Sequence, residues 1–269
     1  GTTTLTSETS GGYTWRNDGG TFTPNSGTVT TNSSVDTKIK ENTFYNLILN
    51  QSTSGKFVYW EDTSGNTCTV ANDLTITTGR LRGLVASDTV TVTGDVSVAA
   101  NGTFNHSSVW TGAVNHGSLT IASGGTYNAT SGTTTTTNKN ASGFAVQNSG
   151  TFTHNNGTIQ NNLNDSSLLF GSSSVYNWIV NASSTVHDGN LIVDNNLTIN
   201  SGKYLRPDNN ARVFTIYGLT SIVGTLGHTA NTGTHNFNNV TLSGTLNMNS
   251  SQTINVSGFR SIGGTLTIA

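Results

Sequence analysis

Short runs in which apolar residues alternate with Thr or Ser recur along the chain at nearly constant intervals. The first apolar residues of successive runs form two series with steps of 21 to 26 positions, namely Leu74, Val96, Leu119 and Phe144, and Leu197, Leu219, Val240 and Leu266. Such alternation predicts short strands with one buried face and one face in water. A repeat of about 20–50 residues is typical of a solenoid, and each repeat has room for about three strands.

We therefore predict an all-β chain that folds as a right-handed parallel β-helix, or β-solenoid, of about 11–12 coils. No segment keeps a helical period of apolar residues for three turns, so helix content should be close to zero. Two tandem β-sandwiches fit the same strand spacing and stay open as the alternative.

A longer repeat relates the two halves of the chain. Three blocks match in the same order: residues 20–29 with 150–159, 45–50 with 176–181, and 73–79 with 196–202. We interpret the chain as a tandem duplication. The first solenoid half is 1–140 and the second is 141–269, and together they form one continuous elongated domain.

The composition is dominated by small polar residues. Thr, Asn, Ser and Gly fill 146 of 269 positions, while charged residues are only 9%, against roughly 25% in an average soluble domain. Leu, Ile, Val and Phe total 61 residues, which is more than the disordered class usually has. Stacked coils place equivalent side chains about 5 Å apart, so neutral residues avoid repulsion between like charges.

Several classes of function are excluded by these numbers. The net charge of −2 gives no electrostatic reason to bind nucleic acid, and no apolar run is long enough for membrane insertion. A lone Cys68 and the spacing of the six histidines predict neither a disulfide nor a metal site. We expect no cofactor, and we interpret the histidines as surface turn residues.

The best candidates for glycan or partner binding lie in and near an insertion of the first half. They are aromatic residues and carboxylates that could hold a sugar: Phe57, Tyr59, Trp60, Glu61, Asp62 and Trp110. The alternative is that these rings cap or widen the core. We predict no catalytic residue, because neighbours in a strand, such as Glu61 and Asp62, point to opposite faces. Four basic residues form a solvated rim near equivalent turns of the two halves: Arg80, Arg82, Lys203 and Arg206.

Three segments carry a resemblance to a diffuse group of Thr/Asn/Gly-rich β-solenoid repeat proteins. They are Tyr45–Asn50, Thr151–Thr158 and Leu197–Gly202. Such proteins occur in bacteriophage virions, marine ones included, and on bacterial cell surfaces. The resemblance implies a β-solenoid fold and an exposed structural or adhesive role, and it carries over no catalytic residue.

We expect a non-enzymatic structural protein of a virion surface, such as a phage fibre, spike or capsid decoration, that contacts host glycans. The alternative is an extracellular adhesin or stalk on a bacterial cell surface. An ice-binding protein and a polysaccharide depolymerase are weaker alternatives. The expected partners are other virion or surface-protein subunits, as a homo-oligomer or as the continuation of a longer chain that covers the last coil.

Overall fold

The computed structural model describes residues 1–9, 11–40, 43–60, 67–82, 87–105, 110–187, 189–208, 211–227, 233–248 and 251–268. Within these ranges the chain forms 30 strands and no helix, and so holds no helix that could cross a membrane. The first 15 strands are β1 (Thr2–Leu5), β2 (Tyr13–Arg16), β3 (Thr28–Thr31), β4 (Thr37–Lys40), β5 (Thr43–Phe44), β6 (Asn46–Asn50), β7 (Phe57–Trp60), β8 (Thr67–Val70), β9 (Leu74–Arg82), β10 (Thr89–Val92), β11 (Val96–Asn105), β12 (Val114–His116), β13 (Leu119–Ile121), β14 (Thr126–Asn128) and β15 (Thr133–Thr136). The others are β16 (Phe144–Asn148), β17 (Thr151–Thr153), β18 (Thr158–Asn161), β19 (Ser166–Leu169), β20 (Asn177–Val180), β21 (Ser184–Val186), β22 (Leu191–Val193), β23 (Leu197–Ile199), β24 (Tyr204–Pro207), β25 (Phe214–Ile222), β26 (Thr225–Gly227), β27 (Thr234–Leu242), β28 (Thr245–Met248), β29 (Thr253–Ser261) and β30 (Thr265–Ile268).

Parallel pairing between successive coils organises each of two compact units, residues 1–134 with 148–155, and residues 135–147 with 156–269. In the first unit the strands stack in three columns: β1, β3, β6, β9, β11 and β13; β2, β4, β7, β9, β11, β14 and β17; and β5, β8, β10 and β12. The long strands β9 and β11 bend, and so belong to two columns. The second unit has the columns β18, β20, β23, β25, β27 and β29; β19, β21, β24, β26, β28 and β30; and β22, β25, β27 and β29.

These columns confirm the predicted all-β solenoid, which has about 11 turns. Several coils contribute a strand to each of three columns, as the length of the repeat predicts, although the third column of each unit has only four strands. Parallel neighbours require a crossover between them, and the remainder of the coil provides it. The alternative of two sandwiches is therefore wrong, because sandwich sheets of that type are antiparallel.

Three members of the first apolar series, Leu74, Val96 and Leu119, lie in one column of the core, whereas the fourth, Phe144, is only partly buried and pairs with Ser167 in the second unit. Leu47, Leu74, Val96 and Leu119 pair in register one above another, and each is buried. Inward and outward side chains alternate along these strands, because the pleat sends successive side chains to opposite faces. Stacking then buries each apolar residue against its equivalents in the coils on either side.

The second apolar series is not a column. Leu197 pairs with Thr220, and Thr220 in turn pairs with Val240, so Leu219 is not a member of this column. Leu219 occupies an outward position of β25 and is 42% exposed, while Thr220 is buried. The buried residues Phe214, Ile216, Thr220 and Ile222 keep one alternation along β25, so a Thr takes the inward position here, which the spacing of apolar residues alone does not reveal.

The last coil of the second unit has exposed apolar side chains at inward positions. Phe259 in β29 pairs with Val240, and Leu266 in β30 pairs with Leu246. Val240 and Leu246 are buried, whereas Phe259 and Leu266 are each 48% exposed.

Aromatic rings form a second kind of core column in the first unit. Phe104, Tyr127 and Phe152 pair in register, with ring centroids 4.6 and 5.7 Å apart and planes within 5° of parallel. His116 packs edge-on against Tyr127, and its Nε2 lies 3.4 Å from the Tyr127 hydroxyl. The prediction that the histidines are surface turn residues is therefore wrong for His116, and also for His235, which is buried too.

The matching blocks 20–29 and 150–159 share an unusual backbone turn. Asn25 and Ser26 have φ angles of 43° and 57°, and Asn155 and Asn156 have φ angles of 46° and 60°. Asn adopts this left-handed region more readily than most residues. The blocks therefore agree in local conformation as well as in sequence.

Glycines form a column of their own at one corner of the first unit. They recur at steps of 23, 23 and 25 residues: Gly79, Gly102, Gly125 and Gly150. A Cβ atom on Gly102 would overlap the carbonyl oxygen of Ile76, and one on Gly150 would overlap that of Gly125. The backbones of successive coils thus pass too close at this corner for a side chain.

We expect Gly102→Ala to lower the free energy of unfolding by about 1–3 kcal/mol, because the added methyl must push two coils apart. Urea unfolding followed by circular dichroism measures the change. Gly227→Ala is the matched control, since its Cβ would lie 3.4 Å from the Thr225 Cγ2, an ordinary van der Waals contact. Equal effects of the two substitutions would contradict the close approach at Gly102.

The buried His116 makes stability depend on pH. Burial lowers the pKa of His116 from 6.5 to about 4. Between these two pH values His116 is therefore protonated in the unfolded chain and neutral in the folded chain. The stability that His116 contributes is complete above pH 6.5 and declines towards pH 4, where the loss reaches about 3 kcal/mol.

Unfolding titrations at several pH values test this dependence. We expect His116→Leu to remove the decline between pH 6.5 and 4, and Tyr127→Phe to retain it because His116 stays buried. A decline of the same size in His116→Leu would assign the pH dependence to other groups.

Candidate functional site

Strand β7 places two aromatic residues on the outer surface of the first unit. Phe57 and Tyr59 are partly exposed, whereas Val58 and Trp60 are buried. The alternation follows from the pleat of the strand. The predicted aromatic segment is therefore divided between the surface and the core.

Two arginines of the next coil lie over these rings. Arg80 pairs with Phe57 and Arg82 pairs with Tyr59. The guanidinium carbons of Arg80 and Arg82 lie 5.4 and 5.5 Å from the Phe57 ring centroid, and that of Arg82 lies 5.7 Å from the Tyr59 centroid. These are cation–π distances. We call Phe57, Tyr59, Arg80 and Arg82 the aromatic–arginine face.

Toward the N-terminal coils, the face continues as a column in which rings and cations alternate. Tyr13 pairs with Lys38, Lys38 with Tyr59, and Tyr59 with Arg82. The ammonium of Lys38 lies 5.3 Å from the Tyr13 ring centroid. Placing each cation against a ring rather than another cation avoids like-charge repulsion between coils.

One carboxylate neutralises part of the lower end of this column. The carboxylate of Asp18 contacts Arg16 at 2.6 Å and Lys40 at 2.7 Å. Hydrogen bonds from Lys40 and Arg16 hold the pKa of Asp18 below its usual range. The positive charge near Tyr13 is therefore partly compensated.

The guanidinium groups of the face itself keep their charge exposed. Arg80 and Arg82 are both exposed, and no described carboxylate forms a salt bridge with either one. The carboxylate of Asp36 accepts the backbone N–H of Phe57 at 3.0 Å, so it helps to anchor β7. The face thus presents two exposed cations on a rigid sheet.

The two tryptophans of the predicted site lie in the core. Trp60 is 1% exposed and packs edge-on against Phe44, with centroids 5.8 Å apart. Trp110 is 2% exposed, and its Nε1 donates a hydrogen bond of 2.6 Å to the backbone oxygen of Asp88. Neither side chain is available to an external ligand. Both tryptophans therefore fit the alternative interpretation, in which the aromatic residues of this region fill the core.

Four residues of the sequence predictions lie outside the described residues: Glu61, Asp62, His106 and His228. Among the residues that the structure does describe, no three His, Cys, Asp or Glu side chains are close enough to hold a metal ion.

The second unit contains a related arginine–aromatic pair with different partners. Arg206 lies over Tyr204 at 5.2 Å, and its Nε donates to the Thr185 hydroxyl at 3.1 Å. The Tyr204 hydroxyl donates to the Asp165 carboxylate at 2.8 Å, a bond that raises the pKa of Tyr204. Arg206 is thus already hydrogen-bonded within the protein, beside an acidic group.

A neutral groove of about 490 Å³ also lies in the second unit. Its lining includes Tyr217, which is 60% exposed, and the amides of Asn236, Asn238 and Asn255. The Asn255 amide donates to Asn236 at 2.8 Å. The groove offers hydrogen-bonding groups without charge.

Paired threonines on neighbouring strands form only a short array. Thr67 and Thr69 of β8 pair with Thr89 and Thr91 of β10, but the next partner of Thr91 is Asn115. The array of threonine pairs therefore spans two coils at this place.

The coil period itself could have located the aromatic–arginine face. Adding 23 to positions 57 and 59 gives 80 and 82, and the structure pairs these positions. The pairing was not predicted, because the residues around β7 were interpreted as an insertion in the first half. Strand β7 pairs with β4 and β9 and is therefore a regular strand of its coil.

A scan against protein-family models found no matching family, and searches of curated proteins and of solved structures found no match either.

The division of β7 predicts different consequences for its two kinds of ring. Trp60→Ala should lower the free energy of unfolding by about 3–5 kcal/mol, because it empties a core position. Phe57→Ala should cost about 1 kcal/mol, because it removes a partly exposed ring and its cation–π contacts. Urea unfolding of both variants measures the contrast, and equal losses would place Phe57 in the core.

Proposed function

We propose that the chain is a non-enzymatic structural protein of a virion surface, such as a fibre, spike or capsid decoration, and that it contacts host glycans through the aromatic–arginine face. The observation that carries the proposal is a pair of exposed guanidinium groups, Arg80 and Arg82, fixed over surface rings on an otherwise weakly charged solenoid. An exposed scaffold needs durability, and a contact site on it needs a few fixed groups.

The outer ladders support the scaffold role. A chain of hydrogen bonds links three asparagines: the Asn200 amide donates to Asn181, and the Asn181 amide donates to Asn162, each at 2.9 Å. Such a ladder satisfies polar groups without charge, so screening by salt affects it little. It suits a protein that stays in contact with an external medium.

Further copies of the chain or other surface subunits belong to the same proposal. The apolar side chains of Phe259 and Leu266 are exposed. Burying them against a neighbouring subunit would stabilise the association.

Electron microscopy with gold-labelled antibodies against the chain tests the location. We expect label on purified virus particles from the source material and background label on host cells. Pre-adsorption of the antibodies with the purified chain is the control. Label confined to a bacterial envelope would contradict the virion proposal and favour an adhesin or stalk.

The non-enzymatic part is tested separately with the purified chain. We expect incubation with neutral and acidic polysaccharides to release no reducing ends and no unsaturated products. Sustained release that scales with protein concentration would identify a depolymerase instead.

A further inference from the structure

We propose that the aromatic–arginine face binds an acidic polysaccharide through the carboxylate or sulfate groups of the polymer. The inference rests on the proposed function, because it names the ligand class of the same face. It differs from stacking of neutral sugars on bare rings, which is what the aromatic residues suggest by themselves.

The rings of the face support the arginines rather than a ligand. Both guanidinium groups lie over Phe57, at 5.4 and 5.5 Å, and Arg82 also lies over Tyr59. The ring surfaces that they cover are not available to a sugar or a base. The outermost groups are then N–H donors, held in an orientation by stacking.

Guanidinium chemistry selects the class of anion. The planar fork of N–H groups matches the two oxygens of a carboxylate or sulfate, and such charge-assisted bonds are about twice as strong as neutral ones. No described carboxylate forms a salt bridge with Arg80 or Arg82. An external anion could therefore bind these arginines without displacing a carboxylate from the described part of the protein.

The spacing of the two cations favours a polymer over a single small anion. Arg80 and Arg82 are two residues apart on one strand and share its outer face, so their Cα atoms are about 7 Å apart. A chain with repeating acidic groups can engage both arginines. The second contact then forms within the complex at a high effective concentration.

The neighbouring surface distinguishes a polysaccharide from a nucleic acid. Above Arg80 the outward column continues with Thr103, Thr126 and Thr151 in register. A nucleic-acid track needs cations along the backbone and bare rings for the bases. A column of three hydroxyls above Arg80, with Arg82 beside it, instead suits a polymer that alternates acidic groups with sugar hydroxyls.

Binding of the purified full chain to defined polymers tests the proposal. The probes are dextran sulfate, polygalacturonate, neutral dextran and polythymidylate of similar length, measured by calorimetry at low and high salt. We expect one or both acidic polysaccharides to bind at least about tenfold more tightly than dextran and polythymidylate. Binding should weaken as salt rises.

Two charge-matched double variants locate the site. Arg80→Gln with Arg82→Gln should weaken binding by about tenfold or more. Lys203→Gln with Arg206→Gln removes the same charge in the second unit and should change affinity by less than about twofold. Arg80→Lys with Arg82→Lys should fall between the wild type and the Gln variant, because the charge remains and the planar fork is lost.

Circular dichroism and thermal unfolding check that each variant is folded. If the Gln variant does not fold, the affinity of the Lys variant tests whether the arginine forks bind the polymer. Equal losses in the two charge-matched variants would overturn the proposal in favour of net charge. Tighter binding of polythymidylate would assign the face to nucleic acid, and tight binding of dextran would assign it to neutral sugars. The assay does not depend on location, so its failure is distinct from a failure of the antibody labelling.

Discussion

Parallel pairing in register, with each residue placed directly against its equivalent one coil away, is the constraint on which this structure depends. Inside the first unit it brings Phe104, Tyr127 and Phe152 into one stack of rings. At a corner it brings backbones so close that only glycine fits, as at Gly102. Outside, it would bring like charges within about 5 Å. The scarcity of charged residues is a direct consequence.

The charged groups that remain are informative because this constraint makes them costly. In the column from Tyr13 through Lys38 and Tyr59 to Arg82, each cation pairs with a ring on the coil below. The alternation converts repulsion between coils into cation–π attraction. It also fixes the side chains in place, so that a surface otherwise built from small polar residues acquires a rigid cationic patch.

Period and alternation in the sequence predict the fold class and much of the core, because both report the geometry of stacking. Leu74, Val96 and Leu119 form the column that their spacing predicts. Leu219 does not, because it lies at an outward position of β25 and Thr220 takes the inward one. The burial of His116 was also missed, because alternation identifies which positions face inward but not which polar residue can be satisfied there by a neighbour such as Tyr127.

The candidate site could be predicted only in part, because a site on a solenoid is formed by residues of successive coils and not by residues that are adjacent in sequence. Residues adjacent in sequence, such as Tyr59 and Trp60, point to opposite faces, so an aromatic-rich segment cannot act as one site. Residues one coil apart, such as Tyr59 and Arg82, share a face. The second unit shows the limit of this rule, because Arg206 lies over Tyr204 yet is bonded to Thr185. The period identifies which side chains meet, and only their hydrogen-bond partners decide which remain available to a ligand.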